Sequence, residues 1–212
     1  MWFFKPAWQS NDPKKALHAV DKENNQAKLA IIAQKALFPH VRLQAITKLT
    51  EQAALLSIAR NDPADGVRTA AILKLTDQTV LADIAQNNPD YFARQCATKK
   101  LTNTDILKSI FENDSATRVR IAAMNQLNDS SLYAHCAKND SDRYVRIAAL
   151  HHVNDESFLA ELITNTKDYE LCIAAWERLR RLCVPIDSAV QEKIKQLNAE
   201  KCKREGHVWL YT

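Results

Sequence analysis

Residues 67–75 read VRTAAILKL, residues 119–127 read VRIAAMNQL and residues 145–153 read VRIAALHHV. A dipeptide ending in arginine starts each of these stretches and recurs every 26 residues: Val41-Arg42, Val67-Arg68, Ala93-Arg94, Val119-Arg120 and Val145-Arg146. Leu171-Cys172 continues the register. A constant period of this length is typical of an array of stacked structural repeats.

Each repeat carries two helical patterns. An alanine stands four residues after the first member of the dipeptide, and a leucine or valine stands four residues further on. The alanines are Ala45, Ala71, Ala97, Ala123, Ala149 and Ala175, and the larger residues are Leu49, Leu75, Leu101, Leu127, Val153 and Leu179. A second apolar pair, such as Leu55 with Ile58, follows in each repeat. These spacings predict a first and a second helix per repeat.

Polar residues separate the helices at constant positions. Thr76-Asp77 and its equivalents precede the second helix, where their side chains cap free amides. Asn61-Asp62-Pro63 and its equivalents lie between repeats, where proline is tolerated at the start of a helix. Each repeat is therefore predicted to be a helical hairpin. Because one such hairpin cannot bury its apolar face alone, we predict an all-α fold, an α-solenoid of about six to seven hairpins.

Three segments follow from this pattern. We expect an N-terminal aromatic extension over residues 1–12, the repeat solenoid over 13–182, and a C-terminal capping helix and tail over 183–212. Residues 13–36 are interpreted as a degenerate first hairpin. The final helix is predicted to open at Pro185, to end near Gly206 and to seal the last repeat with the apolar stripe Ile186, Val190, Ile194 and Leu197.

In four repeats an arginine lies six residues after an acidic or amide residue. The pairs are Asp62 with Arg68, Asn88 with Arg94, Asp114 with Arg120, and Asp140 with Arg146. We expect a structural ladder of charge-assisted hydrogen bonds that ties each turn to the next helix or the neighbouring repeat. Thr166 and Cys172 occupy these positions in the last repeat, so the ladder is predicted to stop at the fifth register.

The Asp-x5-Arg spacing, with Val-Arg-x-x-Ala around it, resembles the HEAT repeat and its short relatives, the bacterial HEAT-like and variant leucine-rich repeats. The resemblance covers roughly residues 13–180. It implies an armadillo-like α-solenoid that usually serves as a scaffold for protein–protein interaction, although some members bind DNA and a few are enzymes.

Composition narrows the range of functions. The chain has only 2 glycines in 212 residues, which excludes glycine-rich phosphate loops. It contains no Gly-x-Ser-x-Gly, His-Glu-x-x-His or His-Glu sequence, so we expect neither an enzyme nor a cofactor. Five cysteines without close pairing favour reduced thiols and a cytoplasmic location. Lys5 and Pro6 interrupt the aromatic start, and no apolar run is long enough to span a membrane, so neither a signal peptide nor a membrane partner is expected.

Cysteine and histidine supply the candidates for a metal site. Cys183, Cys202 and His207 lie close together in the chain, but their spacing matches no compact zinc pattern. Metal binding there is left open, and the favoured interpretation is that Cys183 packs as a small hydrophobic residue. Cys96 and Cys136 occupy apolar columns and are predicted to lie in the core.

The His151-His152 pair precedes Asp155 and Glu156, a combination that also occurs in metal and acid–base sites. The repeat register weakens this interpretation. His151 and His152 stand on the outward side of a first helix, where other repeats carry residues such as Lys99 and Lys100, and Asp155 falls in the capping column.

A basic column marks a candidate binding edge. Lys48, Lys74 and Lys100 share one position in successive repeats, His152 and Arg178 continue it, and Arg180 and Arg181 are near in sequence. Such an edge fits a phosphate backbone, which is bound through counterion release. The net charge of +4 permits a nucleic-acid partner without requiring one. The alternative is an ordinary solvated face, and Gln126 interrupts the column.

The second helices present mixed polar residues, including Ser57 with Arg60 and His135 with Lys138. Trp176 falls in the apolar column of Met124 and Leu150 and is predicted to be core. A mixed polar groove suits a protein surface better than duplex DNA, which requires clustered positive charge. The sequence therefore favours a non-enzymatic protein-binding scaffold, with a nucleic-acid-binding HEAT-like protein as the alternative.

Overall fold

The structure, a computed structural model, describes residues 6–183 and 187–205, the last five by their backbone alone. The predicted helix start at Pro185 and Ile186, the predicted end at Gly206, and His207 lie outside the described residues. The described residues are 76% helical and contain no strand. The prediction of an all-α fold is confirmed.

The described part contains one short 3-10 helix, Ala7–Gln9, and fourteen α-helices. The helices are α1 (Pro13–Asp21), α2 (Gln26–Lys35), α3 (Pro39–Lys48), α4 (Gln52–Asn61), α5 (Asp65–Lys74), α6 (Gln78–Asn87), α7 (Tyr91–Thr98), α8 (Thr104–Asn113), α9 (Thr117–Leu127), α10 (Ser130–Asn139), α11 (Arg143–Leu150), α12 (Glu156–Asn165), α13 (Tyr169–Arg181) and α14 (Ser188–Glu205).

The chain forms two compact units, Met1–Gln126 and Leu127–Thr212. In the first unit, the first helices α1, α3, α5 and α7 pack in succession, and among the second helices α2 packs on α4 and α6 on α8. In the second unit α11 packs on α13, and α14 lies against α12 and α13. Within each unit, helices of the same kind are therefore neighbours, as a stacked repeat requires.

The two helices that pair most closely are not the two that the prediction placed in one repeat. The most closely packed pairs are α2 with α3, α4 with α5 and α6 with α7 in the first unit, and α10 with α11 and α12 with α13 in the second. Each pair joins the second helix of one predicted repeat to the first helix of the next. The period is unchanged, but the tight turn is the one that contains Asp62 and its equivalents, where the arginine contacts described below concentrate.

The core follows the predicted columns. All six alanines of the alanine column are 0% exposed, which lets neighbouring helices approach closely. Leu127 and Leu162 are the partly exposed members of their apolar columns. The predicted caps are present: the carboxylate of Asp77 accepts hydrogen bonds from the amides of Thr79 and Val80, and Asn103, Asp129 and Asp155 cap the later second helices in the same way.

The two ends of the described chain also pack as helices. Helices α1 and α2 form the degenerate first repeat, with Val20, Leu29 and Ile32 buried. In α14, the stripe of Val190, Ile194 and Leu197 is buried. Among the described residues, no helix combines the length and the apolar character needed to cross a bilayer.

Candidate functional site

The arginine column contacts the backbone six residues upstream. In all five registers the Nη1 atom donates to a main-chain carbonyl: Arg42 to Ala36 (2.9 Å), Arg68 to Asp62 (2.9 Å), Arg94 to Asn88 (2.9 Å), Arg120 to Asp114 (3.1 Å) and Arg146 to Asp140 (2.9 Å). The six-residue spacing therefore reflects a bond to the carbonyl oxygen at the end of the preceding second helix. Arg42 belongs to this set, although sequence analysis gave it no partner.

Aspartates that lie six residues before an arginine of this column also bind, through their carboxylates, the arginine of the preceding repeat. Asp62 accepts two hydrogen bonds from Arg42 at 2.7 and 2.8 Å, and Asp114 accepts two from Arg94 at 2.8 and 3.0 Å. Two further arginines reach the N-cap aspartate of the next repeat: Arg68 binds Asp90 at 2.9 Å, and Arg146 binds Asp168 at 3.1 Å. Four of the five arginines, Arg42, Arg68, Arg94 and Arg146, thus tie a turn to a neighbouring repeat, and these residues stabilise the stack.

Lysines of the candidate edge are helix caps in the first unit. The ammonium of Lys48 donates to the carbonyls of Val20 and Asp21 at 3.2 and 2.8 Å. The equivalent bonds run from Lys74 to Ile46 and Thr47 (2.9 and 2.7 Å) and from Lys100 to Ile72 and Leu73 (3.5 and 2.5 Å), and Lys100 also donates to Leu75 (2.5 Å). These carbonyls end the first helix of the preceding repeat, where a cation is favourable. Burial lowers the pKa of Lys100.

The rest of the candidate edge lies in the second unit and differs from residue to residue. The exposed His152 ring stacks on Tyr133 with ring centroids 4.4 Å apart, and burial, followed by the charges of His151 and Arg178, lowers its pKa. Arg178 donates to the carbonyl of Val153 at 2.9 Å. Both Arg180 and Arg181 are exposed.

A glutamine column in the first unit makes a further contact that sequence analysis missed. Gln52, at the start of α4, donates to the carbonyl of Lys74 at 3.3 Å and accepts hydrogen bonds from the amide and hydroxyl of Thr76 at 3.0 and 3.2 Å. Gln26 and Gln78 hold Thr50 and Thr102 in the same way. Glutamine and threonine recurring with the 26-residue period were the signal for this clamp.

The second helices present an exposed side that we call the second-helix face. Its residues are Ser57, Arg60, Asp83, Gln86, Ser109 and Glu112 in the first unit, and His135, Lys138 and Glu161 in the second. Charges on this face pair within each unit: Arg60 binds Asp83 at 2.9 Å, and Lys138 binds Glu161 at 3.2 Å. The face is therefore polar, with both signs of charge neutralising each other locally.

One position of the second-helix face carries the same residue in five successive repeats. The last residue of α4, α6, α8, α10 and α12 is an exposed asparagine, and together these residues form the asparagine column: Asn61, Asn87, Asn113, Asn139 and Asn165. The side-chain amide of Asn61 donates to the carbonyl of Ser57 at 3.0 Å, and that of Asn113 to the carbonyl of Ser109 at 2.9 Å. Within the described residues no donor reaches the side-chain oxygen of Asn61 or Asn113.

Two grooves flank this column at equivalent positions. One, of about 140 Å³, is lined by Gln34, Ser57, Ile58 and Asn61, among others. The other, of about 180 Å³, is lined by residues four periods later: Lys138, Glu161, Leu162 and Asn165, together with Phe158. A groove of the same kind is therefore present in both units. Sequence analysis treated the asparagines only as turn residues, although their constancy was visible.

The metal and thiol candidates are placed as follows. Cys136 and Cys172 are buried, and burial raises the pKa of both to about 11. The core prediction is thus confirmed for Cys136, whereas Cys96 is only half-buried. Cys183 is exposed, with a φ of 57°, so the prediction that it packs as a hydrophobic residue was wrong.

No three metal-ligating side chains gather anywhere in the part of the chain that was searched, residues 6–183 and 187–205. The side chain of Cys202 and all of His207 lie outside the description. His151 and His152 are both exposed, as predicted for the outward side of a first helix.

Trp176 is not a core residue. Met124 and Leu150, its equivalents in earlier repeats, are fully buried, but Trp176 is partly exposed and lines a cavity between α13 and α14. Its indole faces Arg180, whose guanidinium carbon lies 4.9 Å from the ring centroid. Helix α13, the first helix of the last repeat, is covered by α14 instead of by another repeat. This difference explains why the position of Trp176 opens to solvent.

Comparisons with known proteins add no name to this architecture. No family model, curated protein or solved structure matches the chain.

Proposed function

We propose that this chain is a HEAT-like α-solenoid without enzymatic activity that binds an extended segment of a partner protein along its second-helix face. The observation that carries the proposal is the asparagine column. A carboxamide offers both a donor and an acceptor, which match the two hydrogen-bonding groups of a peptide unit. Backbone recognition of this kind is the main source of affinity when a protein binds an extended peptide.

The spacing of the column supports this occupant. Packed helices lie about 8–10 Å apart, and an extended chain advances about 3.3–3.6 Å per residue. One repeat of the first unit therefore corresponds to about three peptide residues. We expect Asn61, Asn87 and Asn113 to contact every third peptide group, with intervening side chains entering grooves such as the one beside Asn61.

Electrostatics on the same face favour a protein partner over nucleic acid. Arg60 and Lys138 are already paired with carboxylates, so they offer little net positive charge to a phosphate backbone. Free thiols at Cys96, Cys136, Cys172 and Cys183 are compatible with the predicted cytoplasmic location, which stays a prediction.

The direct test is selection of peptides from a random 12-residue display library on the intact protein, followed by measurement of affinity for the selected peptides. The triple variant Asn61→Ala, Asn87→Ala, Asn113→Ala should bind them at least about 10-fold more weakly, because three hydrogen bonds of about 0.5–1.5 kcal/mol are removed. The control variant Lys99→Ala, Asn125→Ala changes exposed first-helix residues and should bind as the natural chain does.

Methylating single backbone amides of a selected peptide sharpens this test. Affinity should fall at every third position, because that is the predicted spacing of contacts along the first unit. Equal affinity of the triple variant and the natural chain, or the absence of any selected peptide, would contradict the proposal.

The alternative function, nucleic-acid binding through the basic edge, has weaker support. Lys48, Lys74 and Lys100 place their ammonium groups on backbone carbonyls, so their charge is already engaged. If the edge binds nucleic acid, affinity for a 30-nucleotide DNA should fall steeply with salt and should be lost in the variant Arg180→Glu, Arg181→Glu. Weak, salt-insensitive binding would remove this alternative.

A further inference from the structure

The cavity between α13 and α14 has the dimensions and chemistry of a small-molecule site. Its volume is about 360 Å³, which falls within the usual range of ligand pockets. It belongs entirely to the second unit and is lined by first helix α13 and terminal helix α14, so it is separate from the second-helix face. Nothing in the proposed scaffold function requires it.

Part of the lining of this cavity is apolar and aromatic. Ile173 and Trp176 contribute from α13, and Ile194 contributes from α14. Trp176 is partly exposed although its repeat equivalents are buried, so part of the indole is open to solvent at this position. Covering it with an apolar body would bury area that currently faces water, which is favourable.

Cations line the two sides of the cavity. Arg180 stands on α13 over the Trp176 ring, and Lys195 stands on α14. Both are exposed, and within the described residues neither binds a carboxylate, unlike the arginines of the stack. Among the described residues of the lining, Glu177 is the single acidic one. Two cations against one anion give this described lining a net positive charge.

Polar contacts hold the two helices in place around the cavity. The hydroxyl of Tyr169 on α13 donates to the side-chain oxygen of Asn198 on α14 at 3.1 Å. The buried stripe of Val190, Ile194 and Leu197 anchors α14 against its neighbours. The cavity is therefore formed in the free protein, so a ligand does not have to create it.

We propose that this cavity binds a small aromatic carboxylate, with its ring against Trp176 and Ile194 and its carboxylate between Arg180 and Lys195. An aromatic body matches the floor, and a single negative charge complements the two cations. Arg180 is suited to the carboxylate because a guanidinium binds it through two parallel hydrogen bonds.

The test uses 3-phenylpropanoate and its neutral counterpart 3-phenylpropanamide as probes, with the indole N–H resonance of Trp176 as the reporter in an NMR titration. The resonance is assigned with Trp176→Phe. The acid should shift it saturably and should bind at least 10-fold more tightly than the amide. Arg180→Gln and Lys195→Gln should each weaken binding of the acid several-fold while leaving the amide unchanged.

Glu177→Gln provides a control of opposite sign. Removing the one acidic group of the described lining should tighten binding of the acid about two- to fivefold, and this variant, like the two cation variants, changes an exposed side chain. Tryptophan carboxylate at the end of a Gly-Gly-Gly-Trp peptide tests whether the ligand is a free acid or a chain terminus. Equal binding of acid and amide, or an unchanged affinity in Arg180→Gln, would overturn the proposal.

Discussion

The two units follow the same repeat but are held together by different contacts. In the first unit, three successive lysines, Lys48, Lys74 and Lys100, cap the preceding first helix, and three successive glutamines clamp the following turn. Gln126 ends the lysine column within that unit. In the second unit, His152 and Arg178 replace the lysines. The comparison shows that the same 26-residue apolar pattern can be combined with different sets of polar contacts between repeats.

Two of the three ion pairs of the arginine column in the first unit, Arg42–Asp62 and Arg94–Asp114, are more buried than the Arg146–Asp168 pair of the second unit. The side chains of Arg42 and Asp62 are 7% and 3% exposed, whereas those of Arg146 and Asp168 are 20% and 33% exposed. Breaking a buried pair leaves an uncompensated charge, and breaking an exposed pair does not. We therefore expect the first unit to depend more strongly on its ion pairs than the second.

The largest expected effect comes from Arg42→Met. It leaves the buried Asp62 carboxylate without its ion-pair partner and should lower the free energy of unfolding by about 3–5 kcal/mol. Arg146→Met, at the same repeat position, should cost about 1 kcal/mol or less for its more exposed pair. Urea unfolding followed by circular dichroism measures both, and equal losses would break the contrast between the units.

Acid should reduce the extra stability that the first unit gains from its ion pairs. Burial alone would raise the pKa values of Asp90 and Asp114, but hydrogen bonds from Arg68 and Arg94 and from backbone amides lower both. A lowered pKa stabilises the fold above the ordinary aspartate value of about 3.9, and this contribution is lost as the pH falls through the lowered value.

Hydrogen exchange measured at pH 7 and at successively lower pH values below about 3.9 should therefore show protection falling more in the first unit than in the second. Asp114→Asn removes one of the two titrating groups while keeping an acceptor for the amide of Ala116, so its first unit should respond less to acid. An unchanged acid response in that variant would contradict the assignment of this response to Asp90 and Asp114.

A smaller effect is expected from the lysine column. Lys74→Met keeps the apolar stem and removes the bonds to Ile46 and Thr47, and it should cost about 1–2 kcal/mol. Lys99→Met, next to the equivalent Lys100, changes an exposed lysine and should cost less than about 0.5 kcal/mol. A similar loss in both variants would show that the capping bonds contribute nothing specific.

The smallest expected effect is a gain. Gly66 lies in α5, and a Cβ atom added there would meet no atom within 4 Å. Gly66→Ala should therefore raise the stability of the first unit by about 0.5–1 kcal/mol, because alanine loses less backbone entropy in a helix. Thermal unfolding measures the change, and destabilisation would indicate a partner for this surface or a strained backbone.

The apolar period was sufficient to predict the helices and the alanine column, because both depend on spacing within a short stretch of chain. The sequence did not reveal which neighbouring helix each helix pairs with most closely, since pairing with either neighbour satisfies the same apolar pattern. The arginine partners were missed for a related reason: Arg42 and Asp62 are 20 residues apart, and only packing brings them together. Trp176 opened to solvent because α14 replaces a further repeat there.

The candidate binding face was only partly predictable. Sequence indicated the mixed charges of the second helices, but the exposure of Asn61 and its equivalents required the structure. Burial also decided the role of the basic column, because Lys74 points its ammonium at carbonyl oxygens and away from a prospective ligand. Such choices depend on neighbouring repeats and are invisible in a single helix pattern.

The most direct test of the account is to remove one period from the first unit. Deleting residues 65–90 joins Ala64 to Tyr91, places Arg94 six residues after Asp62 and preserves every column of contacts, whereas deleting residues 65–86 shifts the register by four. The 26-residue deletion should give a protein of undiminished helicity per residue that unfolds cooperatively, and the 22-residue deletion should not. Equal behaviour of the two deletions would contradict the claim that equivalent residues recur because successive repeats are tied to one another.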